Sequence, residues 1–129
     1  MPELILLHVH DHCDDKGSLI SVESNQDLPF TVKRVYFIYG VPNEDIVRAG
    51  HAHKKNHEAL IAVHGECLVI LHRNGAPVAE YLLHKPNQCL LVEAGEWITV
   101  QKFSKDCVLM VMASEHYDPE DYIYSRKLE

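Results

Sequence analysis

From residue 47 to residue 113 the chain is cut into short β-favouring runs by turn residues at close, regular intervals. No segment sustains a helical apolar period between helix caps. The runs read as strands over 47–53, 57–64, 67–72, 78–83, 89–92, 97–101 and 107–113, and Gly65, Asn74-Gly75, Pro86-Asn87, Gly95 and Ser104-Lys105-Asp106 stand between them. Asn-Gly between two apolar runs is a strong hairpin signal, because the tight hairpin turn needs positive φ at both central residues. Strands this short and this evenly spaced point to a sandwich or barrel. The expected class is all-β. At 129 residues, one domain spanning 1–129 has room for a single hydrophobic core.

Upstream, residues 4–9 form a short apolar run that reads as the first strand, and Asp14-Asp15-Lys16-Gly17 reads as a turn, 18–23 as a strand and Asn25-Gln-Asp27 as a second turn. Pro29 excludes a helix running through it. Residues 30–41 are the longest β-like run, rich in β-branched and aromatic residues. Strand alternation puts Arg34 and Tyr36 on one face and Val35, Phe37 and Tyr39 on the other. His8, His10 and His12 have a spacing that suits metal ligands, and an edge strand with one polar face gives the same pattern. The acidic, aromatic segment 115–124 reads as a docking segment or a last edge strand.

Composition narrows the function classes. Apolar content of 47% marks a globular chain. A net charge of −7 without any basic stripe disfavours nucleic-acid binding, which needs a cationic face. Arg34, Arg48, Lys54 and Lys55 nonetheless gather around one motif, as an anionic small molecule would require. The four cysteines form no Cys-x-x-Cys pair, and three of them sit in apolar runs as small buried hydrophobes. No signal peptide is visible at the N-terminus and no apolar run is long enough to span a membrane. The expectation is a cytoplasmic protein with reduced thiols, no membrane partner and no nucleic-acid partner.

The chemistry concentrates in Arg48-Ala-Gly-His-Ala-His-Lys-Lys55. His51 and His53 are two apart, so a strand projects both imidazoles into one space. Two histidines facing one cavity suit proton transfer near neutrality, one ring accepting while another donates. Moving a hydrogen beside a carbonyl needs such a base together with a donor that stabilises the enolate oxygen. Tyr39 can supply that donor, and Arg48 and Arg34 can hold a diphosphate or an enolate. A surface ion pair accounts equally well for Arg34. Trp97, the only tryptophan, offers a flat ring to stack on a base or sugar, or a core residue.

The spacing from His51 and His53 through Glu58 to Gly65 resembles the first signature of the cupin barrels. Their second motif is matched by Glu93-Ala-Gly-Glu-Trp-Ile98, where Ile98 stands in place of the last metal-ligating histidine. Across nearly the whole chain the sequence resembles the WxcM-like cupins, sugar-nucleotide 3,4-ketoisomerases that act on dTDP-4-keto-6-deoxyhexoses. The matching segments are Lys16-Gly-Ser-Leu19, Leu28-Pro-Phe-Thr-Val-Lys-Arg-Val-Tyr-Phe-Ile-Tyr39, Arg48-Ala-Gly-His-Ala-His-Lys-Lys55, Trp97, Phe103-Ser104 and Tyr117-Asp-Pro-Glu-Asp-Tyr122. Departures are Lys16 for an early arginine, the order of Ala49 and Gly50, and Glu58 where the family usually has glutamine.

The resemblance implies an RmlC-like cupin double-stranded β-helix, a jelly-roll barrel. It implies an isomerase that works with no metal and no cofactor on a dTDP-sugar, in deoxysugar biosynthesis for lipopolysaccharide or S-layer glycan. It also implies a homodimer with exchange of an N-terminal strand. The implied roles are His51 and His53 for proton transfer between C3 and C4, Tyr39 close to the sugar, and Arg48 in the site. Two other readings stay open at this point. One is a metal-dependent small cupin enzyme using His51, His53 and Glu58, with an open coordination position. The other is a non-catalytic cupin that binds a sugar nucleotide.

Overall fold

A computed structural model describes residues 1–13 and 16–124, with the backbone alone for 11–13. The structure is all-β apart from one short 3-10 turn, η1 (Pro119–Asp121). The first sheet holds β1 (Glu3–Leu6), β4 (Arg34–Tyr39), β6 (Glu58–His64), β9 (Gln88–Val92) and β11 (Val108–Ala113), in the spatial order β1-β9-β6-β11-β4. The second holds β5 (Arg48–His53), β7 (Cys67–Arg73), β8 (Ala76–Leu83), β10 (Trp97–Gln101) and β12 (Tyr122–Ile123), in the order β12-β5-β10-β7-β8. β2 (His10–Cys13) and β3 (Gly17–Leu19) form a separate small hairpin. All ladders within these sheets are antiparallel. From β4 onward, apart from the β7–β8 hairpin, successive strands alternate between the two large sheets, which makes this the cupin jelly roll. Asn74 and Gly75, both at positive φ, turn β7 into β8 as the sequence requires.

Two apolar clusters explain the layering. Between the sheets lie Leu60, Val69, Leu71, Leu90, Val100 and Leu109 with their neighbours, the inward residues of alternating strands. A second cluster forms on the outer face of the first sheet, where Ala59, Ile61, Cys89 and Met112 meet Leu7 and Leu28. Ile20, Val22, Phe30 and Val32 pack on that second cluster, so most of the segment from 20 to 32 is a cover and not a strand. This is why the strand expected over 18–23 shrinks to β3 and the one expected over 30–41 shrinks to β4. The turn expected over 14–17 falls partly outside the described residues, as do the side chains of His12 and Cys13. Cys67, Cys89 and Cys107 are buried and free. Among the described residues, no helix is long and apolar enough to cross a membrane.

Candidate active site

His51 and His53 lie on β5 with their rings edge-on and centroids 4.8 Å apart. Arg48 precedes His51 by an odd number of residues, which on a regular strand would send it to the opposite face. A β-bulge changes this. Ala49 pairs with Thr99 and His51 pairs with Ile98, so Gly50 has no opposite residue. Ala49 and Gly50 both take positive φ, 66° and 74°. The extra residue resets the alternation. Arg48, Ala49 and His51 therefore all line one cavity of about 260 Å³ between the sheets.

The rest of the wall is apolar at depth and polar near the histidines. Leu60, Ile98, Val100, Leu109 and Val111 form the apolar part, and Arg34, Tyr36 and Glu58 bring charge and a phenol. The Arg34 guanidinium lies 4.5 Å from the Tyr36 ring centroid and 5.1 Å from that of Tyr117. Both distances are in cation–π range. Tyr36 donates its hydroxyl to Glu58 Oε2 at 2.9 Å, and Asn56 Nδ2 donates to the same oxygen at 3.2 Å. Burial, reinforced by the Glu58 carboxylate, pushes the Tyr36 phenol well above its ordinary value. It stays a proton donor across the physiological range.

Burial and then the like charge of His53 push His51 down to about 4, although a hydrogen bond with the Ala49 backbone opposes them. At neutral pH His51 is a free base. His53 is held differently. Its Nδ1 lies 3.0 Å from Asp121 Oδ2, and its Nε2 lies 3.7 Å from Glu58 Oε1. Asp121 also accepts the backbone N–H groups of Lys55 at 2.8 Å and Asn56 at 3.3 Å. Burial works to raise the Asp121 carboxyl, but the Lys55 N–H, His53 and the Asn56 N–H outweigh it and hold the group below the usual carboxylate value. Tyr122, paired with His53 across the β12–β5 ladder, places its ring 4.7 Å from His51 and 4.6 Å from His53.

Of the residues singled out in the sequence, His51, Arg48 and Arg34 line the cavity, with His53 directly behind His51. Tyr39 does not. It stands on the outer face of β4, 74% exposed, because alternation from Tyr36 carries it there with Val35 and Phe37. Tyr36 is the tyrosine on the cavity side. Trp97 is buried away from the cavity, on the face of β10 shared with Thr99, where its ring meets His72 edge-on at 5.3 Å. It lies beneath the Gly50 bulge, where a Cβ added to that glycine would meet Trp97 Cη2 at 3.8 Å. Among the described residues, no group of three or more His, Cys, Asp or Glu converges to hold a metal, so His51, His53 and Glu58 do not form one. His57 is engaged elsewhere, accepting the Ala94 N–H at 3.2 Å.

Sequence reasoning missed Tyr36, Asp121 and Tyr122. The parity of 30–41 already placed Tyr36 beside Arg34, and that signal outranks mere proximity to the motif. No local pattern marks Asp121, whose part emerges only from the pairing of β12 with β5.

The family described as FdtA, WxcM-like, C-terminal, matches residues 3–128. A TDP-4-oxo-6-deoxy-alpha-D-glucose-3,4-oxoisomerase of Aneurinibacillus thermoaerophilus is 43% identical over 110 residues, which are 85% of this chain and 78% of that protein. The crystal structure of a 3,4-ketoisomerase from Helicobacter canadensis superposes with a TM-score of 0.89 at 30% identity, covering 98% of this chain and 92% of that one. QdtA, a sugar 3,4-ketoisomerase from Thermoanaerobacterium thermosaccharolyticum solved in complex with TDP, gives a TM-score of 0.89 at 35% identity, covering 98% and 89%. By sequence and by fold, the chain belongs to the WxcM-like C-terminal family, FdtA.

Proposed function

We propose that the chain is a sugar-nucleotide 3,4-ketoisomerase that converts dTDP-4-keto-6-deoxyglucose into a dTDP-3-keto-6-deoxyhexose. The observation that carries this reading is a half-buried His51 sharing one cavity with the guanidinium groups of Arg34 and Arg48. His51 takes the proton from C3 as the C3–H electron pair becomes a C3=C4 bond and the carbonyl pair moves onto O4. The resulting enediolate is anionic, and an arginine in the same low-dielectric space stabilises it most where charge develops. A proton then returns to C4 while O3 loses its own, leaving the ketone at C3. His53 completes the proton-transfer pair. Tyr36, and not Tyr39, is the phenol on the cavity wall; its own proton goes to Glu58, and its oxygen can accept from a sugar hydroxyl. The second arginine is free to meet the diphosphate. Trp97 has a packing role under β5.

The test is incubation of chelator-treated protein with dTDP-4-keto-6-deoxyglucose in deuterated water, followed by NMR of the sugar. A 3-keto product is expected, carrying deuterium at C4 to the extent that His51 exchanges with solvent. An unchanged sugar under these conditions, with turnover only after a metal is restored, would replace this reading with a metal-dependent one.

We also propose that the working unit is a homodimer in which the N-terminal strand crosses to the partner. Two features support it: β1 is an edge strand, and the outer face of the opposite edge strand β4 exposes Val35, Phe37 and Tyr39.

A further inference from the structure

Among the described residues, the Asp121 carboxylate is the one buried acid whose oxygens both face N–H groups or ring nitrogen of β5 and the residues that follow it. Oδ1 accepts from Lys55 N, and Oδ2 faces both Asn56 N and His53 Nδ1. The backbone carbonyl of Asp121 also accepts from Lys54 N at 2.8 Å, so the whole residue is clamped to the end of β5. An ionised carboxylate only accepts hydrogen bonds. A proton must therefore sit on His53 Nδ1. The other ring nitrogen, Nε2, is buried, has no hydrogen-bond partner, and faces Glu58 on the cavity wall.

Taking the ketoisomerase reading as its basis, we propose that Asp121 is a positioning residue that fixes the Nδ1–H tautomer of His53 and so leaves Nε2, which faces the Glu58 carboxylate of the cavity wall, as the ring nitrogen that exchanges protons. The acid reaches its place through the C-terminal segment: Asp118 caps η1 by accepting the Glu120 N–H at 3.0 Å, and β12 then pairs with β5 at His53. The last described turn of the chain thus sets which face of an imidazole on a central strand is chemically active. Asp121 itself does not line the cavity, so it acts through His53 and not on substrate.

Asp121→Asn separates this role from simple support. The amide keeps one oxygen, and the cheaper orientation keeps it on Lys55 N, because the bond to Asn56 N is the longer one. An NH2 then faces His53 Nδ1, which must become an acceptor, and the proton moves to Nε2. Nitrogen-15 spectra of the histidine rings read that change directly in protein without substrate. The expected result is a wild-type His53 protonated at Nδ1 and a variant protonated at Nε2, with kcat reduced by at least ~100-fold, as when the acid of a His–Asp pair is neutralised. KM should stay within about threefold, and the thermal melt should show a folded variant. An unchanged tautomer, or a changed tautomer with kcat within about threefold of wild type, would overturn the proposal. Wild-type protein that never turns over the keto sugar sinks the activity reading instead, while the spectra still decide the tautomer. Asp121→Ala is a poorer probe, since it also removes the acceptor for two backbone N–H groups.

Discussion

At the scale of single residues, two tyrosines three apart on one strand have opposite fates. Tyr36 points inward and donates to a buried carboxylate, and Tyr39 points out into solvent. Tyr36→Phe removes a donor from Glu58, and leaving a buried acceptor short of a partner costs about 1–3 kcal/mol. Denaturant melts should show that loss, together with a fall in kcat. Tyr39→Phe should leave kcat within about twofold, and a larger loss would return Tyr39 to the mechanism. The depressed value of His51 also sets a pH dependence. The acid limb of kcat/KM should lie near about 4, and not near the about 6.5 of a free imidazole. The sign for stability follows. Folding disfavours the His51 imidazolium, so its share of stability is complete above about 6.5 and is lost as pH falls toward about 4. A limb at the free-imidazole value would mean that His51 is not the base.

Among the elements, the bulge in β5 is the device that assembles the site. The sequence read as a regular strand puts His51 and His53 together correctly but sends Arg48 away from them, and only the unpaired Gly50 restores it. A Cβ at Gly50 has room, with its nearest neighbour Trp97 Cη2 at 3.8 Å. The cost of Gly50→Ala is therefore backbone strain at positive φ, about 1–2 kcal/mol. The same change should reduce activity beyond that modest destabilisation, because relaxing the bulge turns Arg48 out of the cavity. Comparing kcat/KM with the melting midpoint of this variant checks it; full activity at lowered stability would show the bulge to be incidental. The contrast marks what the sequence makes legible. Strands 57–64, 67–72 and 97–101 follow from turns and β-branched runs that act locally. The bulge, the cover formed by 20–32, and the contact of Asp121 with His53 depend on pairing between distant segments, for which one sequence carries no local sign.

For the whole molecule, the question is what covers the remaining apolar surface. The outer face of the first sheet is covered by the segment from 20 to 32 over β6, β9 and β11, but Val35 at 50% and Phe37 at 55% exposure extend that face uncovered along β4. In the proposed homodimer a second copy of the chain would meet such a face by symmetry, since one patch serves both partners. At the other edge, β1 pairs with β9 in four register steps, from Glu3 with Leu91 to Leu6 with Gln88. A partner's β1 would make the same hydrogen bonds, so exchange changes connectivity and not contacts. Phe37→Glu places a charge where an apolar face must be desolvated, and light scattering should show it lowering the mass from dimer to monomer. The exchange itself can be read from Ile5, which pairs with the free Cys89. Ile5→Cys brings two thiols opposite each other on neighbouring strands, at a separation a disulfide can bridge. After oxidation, a crossing strand gives a covalent dimer on a non-reducing gel, and a strand kept within its own chain gives a monomer with an internal bridge. The expected band is the dimer, and a cross-linked monomer from protein that scatters as a dimer would leave the interface standing while removing the exchange.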